Sequence, residues 1–226
     1  MFTANQILFA AMSGLAAGGI HVFSGPDHLA AIAPLSVGRR ASGWLLGARW
    51  GLGHASGVLF VGVASLLFRE WAPVHVISSW GERLVGVALV GIGVWGFRRA
   101  FSRHLHVHEH SHGSERHVHV HAHGHGHAHE HASHTHAAFA VGTLHGVAGS
   151  SHLLGILPAL AFPNQAQALI YLLCYGIGTI VAMSIFSTAI VFVSSRPAFG
   201  SALASRWLMA GSSAFAVGLG GYWLAV

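Results

Sequence analysis

In a chain of 226 residues, 53% are hydrophobic, only 8% are charged, and the mean hydropathy is +0.59. A soluble domain carries about a quarter charged residues, so this composition excludes one. The formal charge is +5 and every basic residue is arginine; the arginines that separate the apolar runs read as topology determinants, not as a nucleic-acid footprint. A single cysteine, Cys174, excludes an internal disulfide.

The apolar runs fall at about 5–36, 43–68, 78–97, 137–161, 166–193 and 203–225, each long enough to cross ~30 Å of hydrocarbon. The expected fold is an all-α membrane protein of about six transmembrane helices. The first run contains His21, Asp27 and His28 and no basic segment precedes it, so it reads as a span and not as a cleaved signal peptide. The connections after runs one, three and five hold Arg39, Arg40, Arg98, Arg99, Arg103, Arg116, Arg196 and Arg206. The positive-inside rule puts these connections in the cytoplasm and both termini outside, the arrangement expected in a bacterial inner membrane.

The connection at 98–136 holds 15 of the 21 histidines, many in strict alternation. It has no apolar face, so disorder is expected in the absence of metal. Imidazole is a ligand for Zn, Ni, Cu and Co, and a string of imidazoles points to metal binding.

An offset of 124 pairs His21 with His145, Gly25 with Gly149, His28 with His152, Leu29 with Leu153, Ile32 with Ile156 and Pro34 with Pro158. Gly51-Leu-Gly-His54 similarly echoes Gly176-Ile-Gly-Thr179. The chain therefore divides into a first three-helix repeat at 1–97, the histidine-rich loop at 98–136 and a second three-helix repeat at 137–226. Three spans is an odd number, so the copies are inverted in the membrane. Many secondary transporters are organised this way, with the substrate site at the repeat interface.

Ionisable groups inside a bilayer are costly and mark function. The candidate metal ligands are His21, Asp27, His28, His54, His145 and His152. On a regular helix His21 and His28 would lie ~10 Å apart. Gly25-Pro26 falls between them, and proline removes a donor and clashes with the preceding turn, so a break there is expected to draw the two together. His54 sits among Gly51, Gly53 and Gly57, where ligation and helix packing are both open.

The segment His21-Val-Phe-Ser-Gly-Pro-Asp-His28, followed by Gly51-Leu-Gly-His54, resembles the nickel/cobalt transporter superfamily. It is most similar to the shorter branch of urease-accessory-type and plastid-type membrane proteins. High-affinity nickel permeases of that superfamily carry His-x4-Asp-His; here the spacing is one residue longer. The resemblance implies nickel or cobalt as cargo, six spans, metal handling by Asp27 and His28, and a metallochaperone or metalloenzyme maturation protein as partner.

The leading expectation is therefore secondary transport of a divalent ion, Ni²⁺, Co²⁺ or Zn²⁺, with no other cofactor and no catalysis. An intramembrane zinc hydrolase is one alternative; against it, no His-Glu-x-x-His occurs within the apolar runs. A metal-binding accessory protein serving metalloenzyme maturation is the other.

Overall fold

The computed structural model describes residues 3–37, 43–67, 74–101, 105–112, 115–122, 130–148, 151–196 and 201–225. The helices are α1 (Ala4–Ser24), α2 (Pro26–Ser36), α3 (Gly43–Leu67), α4 (Val74–Phe101), α5 (Glu130–Ala148), α6 (Ser151–Ala161), α7 (Gln165–Ser194) and α8 (Ala202–Ala225). Among the described residues, five segments are long and apolar enough to cross a membrane: α1, α3, the Glu82–Phe101 part of α4, α7, and the Leu203–Ala225 part of α8. Large apolar side chains such as Phe9, Ile20, Phe60 and Trp207 lie exposed on these helices. That pattern suits a lipid-facing surface, and the chain is an all-α integral membrane protein.

Two of the expected spans are broken. The run at 5–36 divides into α1 and α2. Thr3 and Gln6 cap the start of α1 reciprocally, with Gln6 Oε1 accepting from the Thr3 N–H at 3.1 Å. The helix ends at Gly25, whose N–H still donates to the His21 carbonyl at 3.0 Å. Pro26 then opens α2 at a position where its missing donor costs nothing. The run at 137–161 divides in the same place, into α5 and α6. Only Ala137–Val147 of α5 is apolar, so neither piece is a full span by itself.

The packing follows the sequence repeat. Helices α3 and α7 pack against one another, α1 lies on α7, and its counterpart α5 lies on α3. Glycines set these contacts. A Cβ at Gly18 would overlap the Tyr175 carbonyl, and one at Gly142 would overlap the Trp50 carbonyl. Likewise a Cβ at Gly178 would overlap the Leu15 carbonyl and one at Gly53 the Phe139 carbonyl. Each pair joins positions related by the offsets of 124 and 125 in the sequence. Small residues let membrane helices approach backbone to backbone, where dispersion contacts and not water exclusion hold them together. Along α7, Thr179, Ser184 and Thr188 donate to carbonyls four residues back, so their hydroxyls stay satisfied without a neighbouring helix. Arg49 lies within α3, inside an apolar run and not between two.

Strands β1 (Leu105–His112) and β2 (Glu115–Ala122) pair antiparallel, with His106 opposite His121, His108 opposite His119 and His110 opposite His117.

Candidate metal centre

The break at Gly25 builds the centre. It separates α2 from α1 so that Asp27 and His28, in the first turn of α2, lie close to His21 in the last turn of α1. The His21 and His28 rings stand 4.5 Å apart, edge to face, as the break was expected to allow. Gly25 matters here through space, because a Cβ would overlap His28 Nδ1 and lie 2.9 Å from Asp27 Oδ1. Helix α3 contributes His54 and α5 contributes His145 from its last turn.

These side chains form one hydrogen-bonded line. Asp27 Oδ1 lies 3.1 Å from His28 Nδ1, and Asp27 Oδ2 lies 2.9 Å from His145 Nε2. A carboxylate only accepts, so both imidazoles donate to it, which assigns their protons. His28 Nε2 is then an acceptor, and the His54 Nε2–H donates to it at 3.2 Å. Asp27, His28, His54 and His145 are buried and His21 is partly buried. Removing charge from water is expensive unless the charge is paired, and the Asp27 carboxylate is held here by two imidazole N–H donors.

Two overlapping ligand groups result. His21, His28 and His54 form one, and Asp27, His28 and His145 form the other; within each, the donor atoms lie no more than 4.8 Å apart. Ligands at 2.0–2.1 Å from one ion cannot be separated by more than ~4.2 Å, so small side-chain shifts would close either group. In the first group His28 offers Nε2 while its Nδ1–H stays on Asp27. A carboxylate behind a ligating histidine fixes the ring and raises its basicity.

Of the six ligands expected from sequence, five meet here. The sixth, His152, falls in the first turn of α6, and its side chain lies outside the described residues. His54, for which packing was an open alternative, forms one end of the hydrogen-bonded line, against His28. Two residues missed by the motif reading flank it. Trp50 stacks on His54 at 16° with ring centroids 5.2 Å apart. Tyr175 lies 5.6 Å from His21 and packs on Tyr171, which lines a cavity of about 590 Å³ together with Gln6, Phe9, Phe162 and Gln167. The hydroxyls of both tyrosines are buried and have no hydrogen-bond partner among the described residues. The signal for both flanking residues was present: the offset of 125 that relates Gly51 to Gly176 also relates Trp50 to Tyr175.

Fold and site together define a polytopic helical membrane protein with a buried histidine–aspartate centre. The chain is 34% identical over 192 residues to Chloroplast protein FOR GROWTH AND FERTILITY 2 of Arabidopsis thaliana, covering 84% of this chain and 48% of that protein. It is 33% identical over 184 residues to Chloroplast protein FOR GROWTH AND FERTILITY 1 of the same plant, covering 81% and 50%. It is 29% identical over 171 residues to the urease accessory protein UreH of Bacillus sp. (strain TB-90), covering 73% and 69%. The chain thus spans about half the length of the two chloroplast relatives. No family model and no solved structure matches it.

Proposed function

We propose that this protein carries a divalent transition-metal ion, nickel or cobalt, across a membrane, as a member of the nickel/cobalt transporter superfamily. The observation that carries this reading is the buried line His54–His28–Asp27–His145, assembled from three helices at a helix break. Neutral imidazoles with one carboxylate suit a borderline divalent ion better than Mg²⁺ or Ca²⁺, which take oxygen ligands. Broken helices and irregular backbone inside a membrane are tolerated where they line a polar cavity, and transporter sites are commonly built on them. In this reading His21, His28 and His54 hold the ion, while Asp27 orients His28 and supplies counter-charge. His145, joined by His152, forms the second repeat's share. The halves 1–97 and 137–226 act as inverted repeats that open the centre to each side in turn, with the termini outside. The path through Tyr175 and Tyr171 to the cavity between α1, α6 and α7 is one way in.

The similarity to UreH favours a second reading, in which the protein binds nickel and passes it to a metalloenzyme maturation partner without moving it across the bilayer. Purified protein in sealed liposomes separates the two. Uptake of Ni²⁺ or Co²⁺ into the lumen, absent in protein-free vesicles, is the expected result. Tight binding without lumenal accumulation would replace transport by the accessory role. Hydrolytic activity in the same vesicles would point instead to a zinc enzyme.

A further inference from the structure

We infer that Trp50 and Tyr175 are the two gates of the permeation path, one ring closing the metal centre on each side. This deepens the transport reading and rests on it. Both rings are fully buried. Trp50 stacks on His54 and lies 5.4 Å from His28 and 5.4 Å from His145. Tyr175 lies 5.6 Å from His21. The offset of 125 between them makes each the counterpart of the other in its half of the chain.

The rings stand at different levels along the helices, with the histidines between. Helices α3 and α7 run antiparallel: a Cβ at Gly47 meets Met183, one at Gly51 meets Ile180, one at Gly176 meets Ala55 and one at Gly62 meets Leu172. Tyr175 is therefore about level with the residue after Ala55, roughly six residues or ~9 Å beyond Trp50 at 1.5 Å per residue. His54 falls between the two levels. Helical side chains lean toward the N-terminus of their own helix, so in an antiparallel pair these rings lean apart.

An apolar plug backs each ring. Trp50 is buried in one cluster with Ile32 of α2 and Met183 of α7, and Tyr175 in another with Ile156 of α6 and Val58 of α3. Ile32 and Ile156 are related by the offset of 124, Val58 and Met183 by that of 125. Each plug thus takes one residue from the short helix after a break and one from each long helix, and the repeat exchanges one plug for the other. Two gates that open in turn around a fixed site need that relation. On the Tyr175 side, Tyr171 packs on Tyr175 at 6.3 Å and lines the cavity, so two tyrosine rings separate the cavity from His21.

The chemistry suits a gate. A hydrated divalent ion does not enter dry aromatic packing, so the rings must move for it to pass. Trp50 Nε1 and the Tyr175 hydroxyl are buried with no hydrogen-bond partner among the described residues. An unpaired buried donor destabilises the closed arrangement, and water restores its bond when the ring swings out. Exposing each ring is thereby partly offset, which brings the closed and open arrangements closer in free energy. Gly155 seats the Tyr175 ring, since a Cβ there would lie 2.7 Å from the hydroxyl oxygen.

Cysteine labelling tests the gates without metal and without flux. In the full chain lacking Cys174, His21→Cys reports on Tyr175 and His54→Cys on Trp50. A membrane-impermeant methanethiosulfonate is applied to intact cells and to inverted vesicles, which probes each side alone. With the natural rings, both reporters should label slowly from either side. Tyr175→Ala should speed labelling of the His21→Cys reporter from one side only, and Trp50→Ala that of the His54→Cys reporter from the opposite side only. Each gain should be ~10-fold or more, since losing a buried aromatic shifts a packing equilibrium at least that far. The milder Tyr175→Leu and Trp50→Leu, which keep an apolar side chain, should show the same sidedness. Tyr175→Phe keeps the ring and loses the hydroxyl that gains water on opening, so it should label no faster than the natural residue. Equal labelling from both sides, entry from the same side in both variants, or fast labelling with Tyr175→Phe would overturn the gates. Ni²⁺ uptake by the natural protein is measured separately. Opposed labelling without uptake would keep the two closures and remove transport; natural uptake with unsided labelling would remove the gates and leave transport standing.

Discussion

Asp27 and His145 lie 118 residues apart in sequence, yet their side chains meet at 2.9 Å between Oδ2 and Nε2. The contact ties the first turn of α2 to the last turn of α5, so the carboxylate of one half of the chain is held by the histidine of the other. The His21 counterpart by sequence offset thus serves as the carboxylate's partner and not as a copy of His21. The two halves repeat in packing and differ in the centre.

That geometry sets what Asp27→Asn should do. An amide has one accepting oxygen and one donating nitrogen, while both facing imidazoles present donors. The substitution also removes the charge that draws in a cation. Insertion should be normal, and Ni²⁺ or Co²⁺ uptake into proteoliposomes should fall ~10–100-fold, as expected for losing a partner that orients a ligand. Near-normal flux through Asp27→Asn would remove the carboxylate from the mechanism.

His28 belongs to both ligand groups, whereas His54 and His145 belong to one each. His28→Gln should therefore abolish metal binding and flux together. His54→Ala and His145→Ala should each leave measurable, weakened binding, because one group survives. Calorimetric Ni²⁺ titration of the three variants checks the order; equal losses in all three would mean a single site with no alternative position.

Trp50 stacks on the His54 ring, which donates a hydrogen bond to His28. Trp50→Phe keeps an aromatic face and should retain most flux, while Trp50→Leu should lower metal affinity with little change in insertion. The same assays decide, and a silent Trp50→Leu would make the stack mere core packing.

Much of this was legible in the sequence. The spacing of His21 and His28 around Gly25-Pro26 foretold a break, because proline forbids the regular helix on which they could not meet. The repeat was legible as paired positions, and the packing of α1 on α7 and of α5 on α3 obeys the same pairing. What was hidden depends on contacts that no linear pattern records. His54 shows no partner along the chain; its place follows from glycines 53, 57, 142 and 146, which let α3 and α5 touch. The hairpin was visible as alternation, yet its composition reads equally well as a solvated linker.

Topology is open to direct measurement. The arginine bias predicts a cytoplasmic position for 98–136. Single cysteines introduced near residue 115, in a background lacking Cys174, should resist impermeant thiol reagents in intact cells and react after permeabilisation. Labelling of intact cells would reverse the orientation.

Neighbouring glycines in α1 give the sharpest test of the packing. A Cβ at Gly18 would overlap the Tyr175 carbonyl of α7 and approach the Thr179 nitrogen to 3.0 Å, so backbone must move to admit it. One residue on, a Cβ at Gly19 would meet nothing within 4 Å. Helix propensity alone favours alanine over glycine by about 0.8–1.0 kcal/mol at either position. At Gly19 that preference acts unopposed, and Gly19→Ala should be neutral or slightly stabilising. At Gly18 it competes with overpacking, which costs about 1–3 kcal/mol in a closely fitted core. The contact is with main chain and not with a flexible side-chain end, so the upper part of that range applies. Gly18→Ala should lower the thermal midpoint in detergent, while Gly19→Ala leaves it unchanged or raised. Because α1 carries His21, Gly18→Ala should also weaken Ni²⁺ binding even in protein that remains folded at the assay temperature. If the two variants melt together, α1 and α7 do not touch backbone to backbone, and the placement of His21 beside Tyr175 falls with that contact.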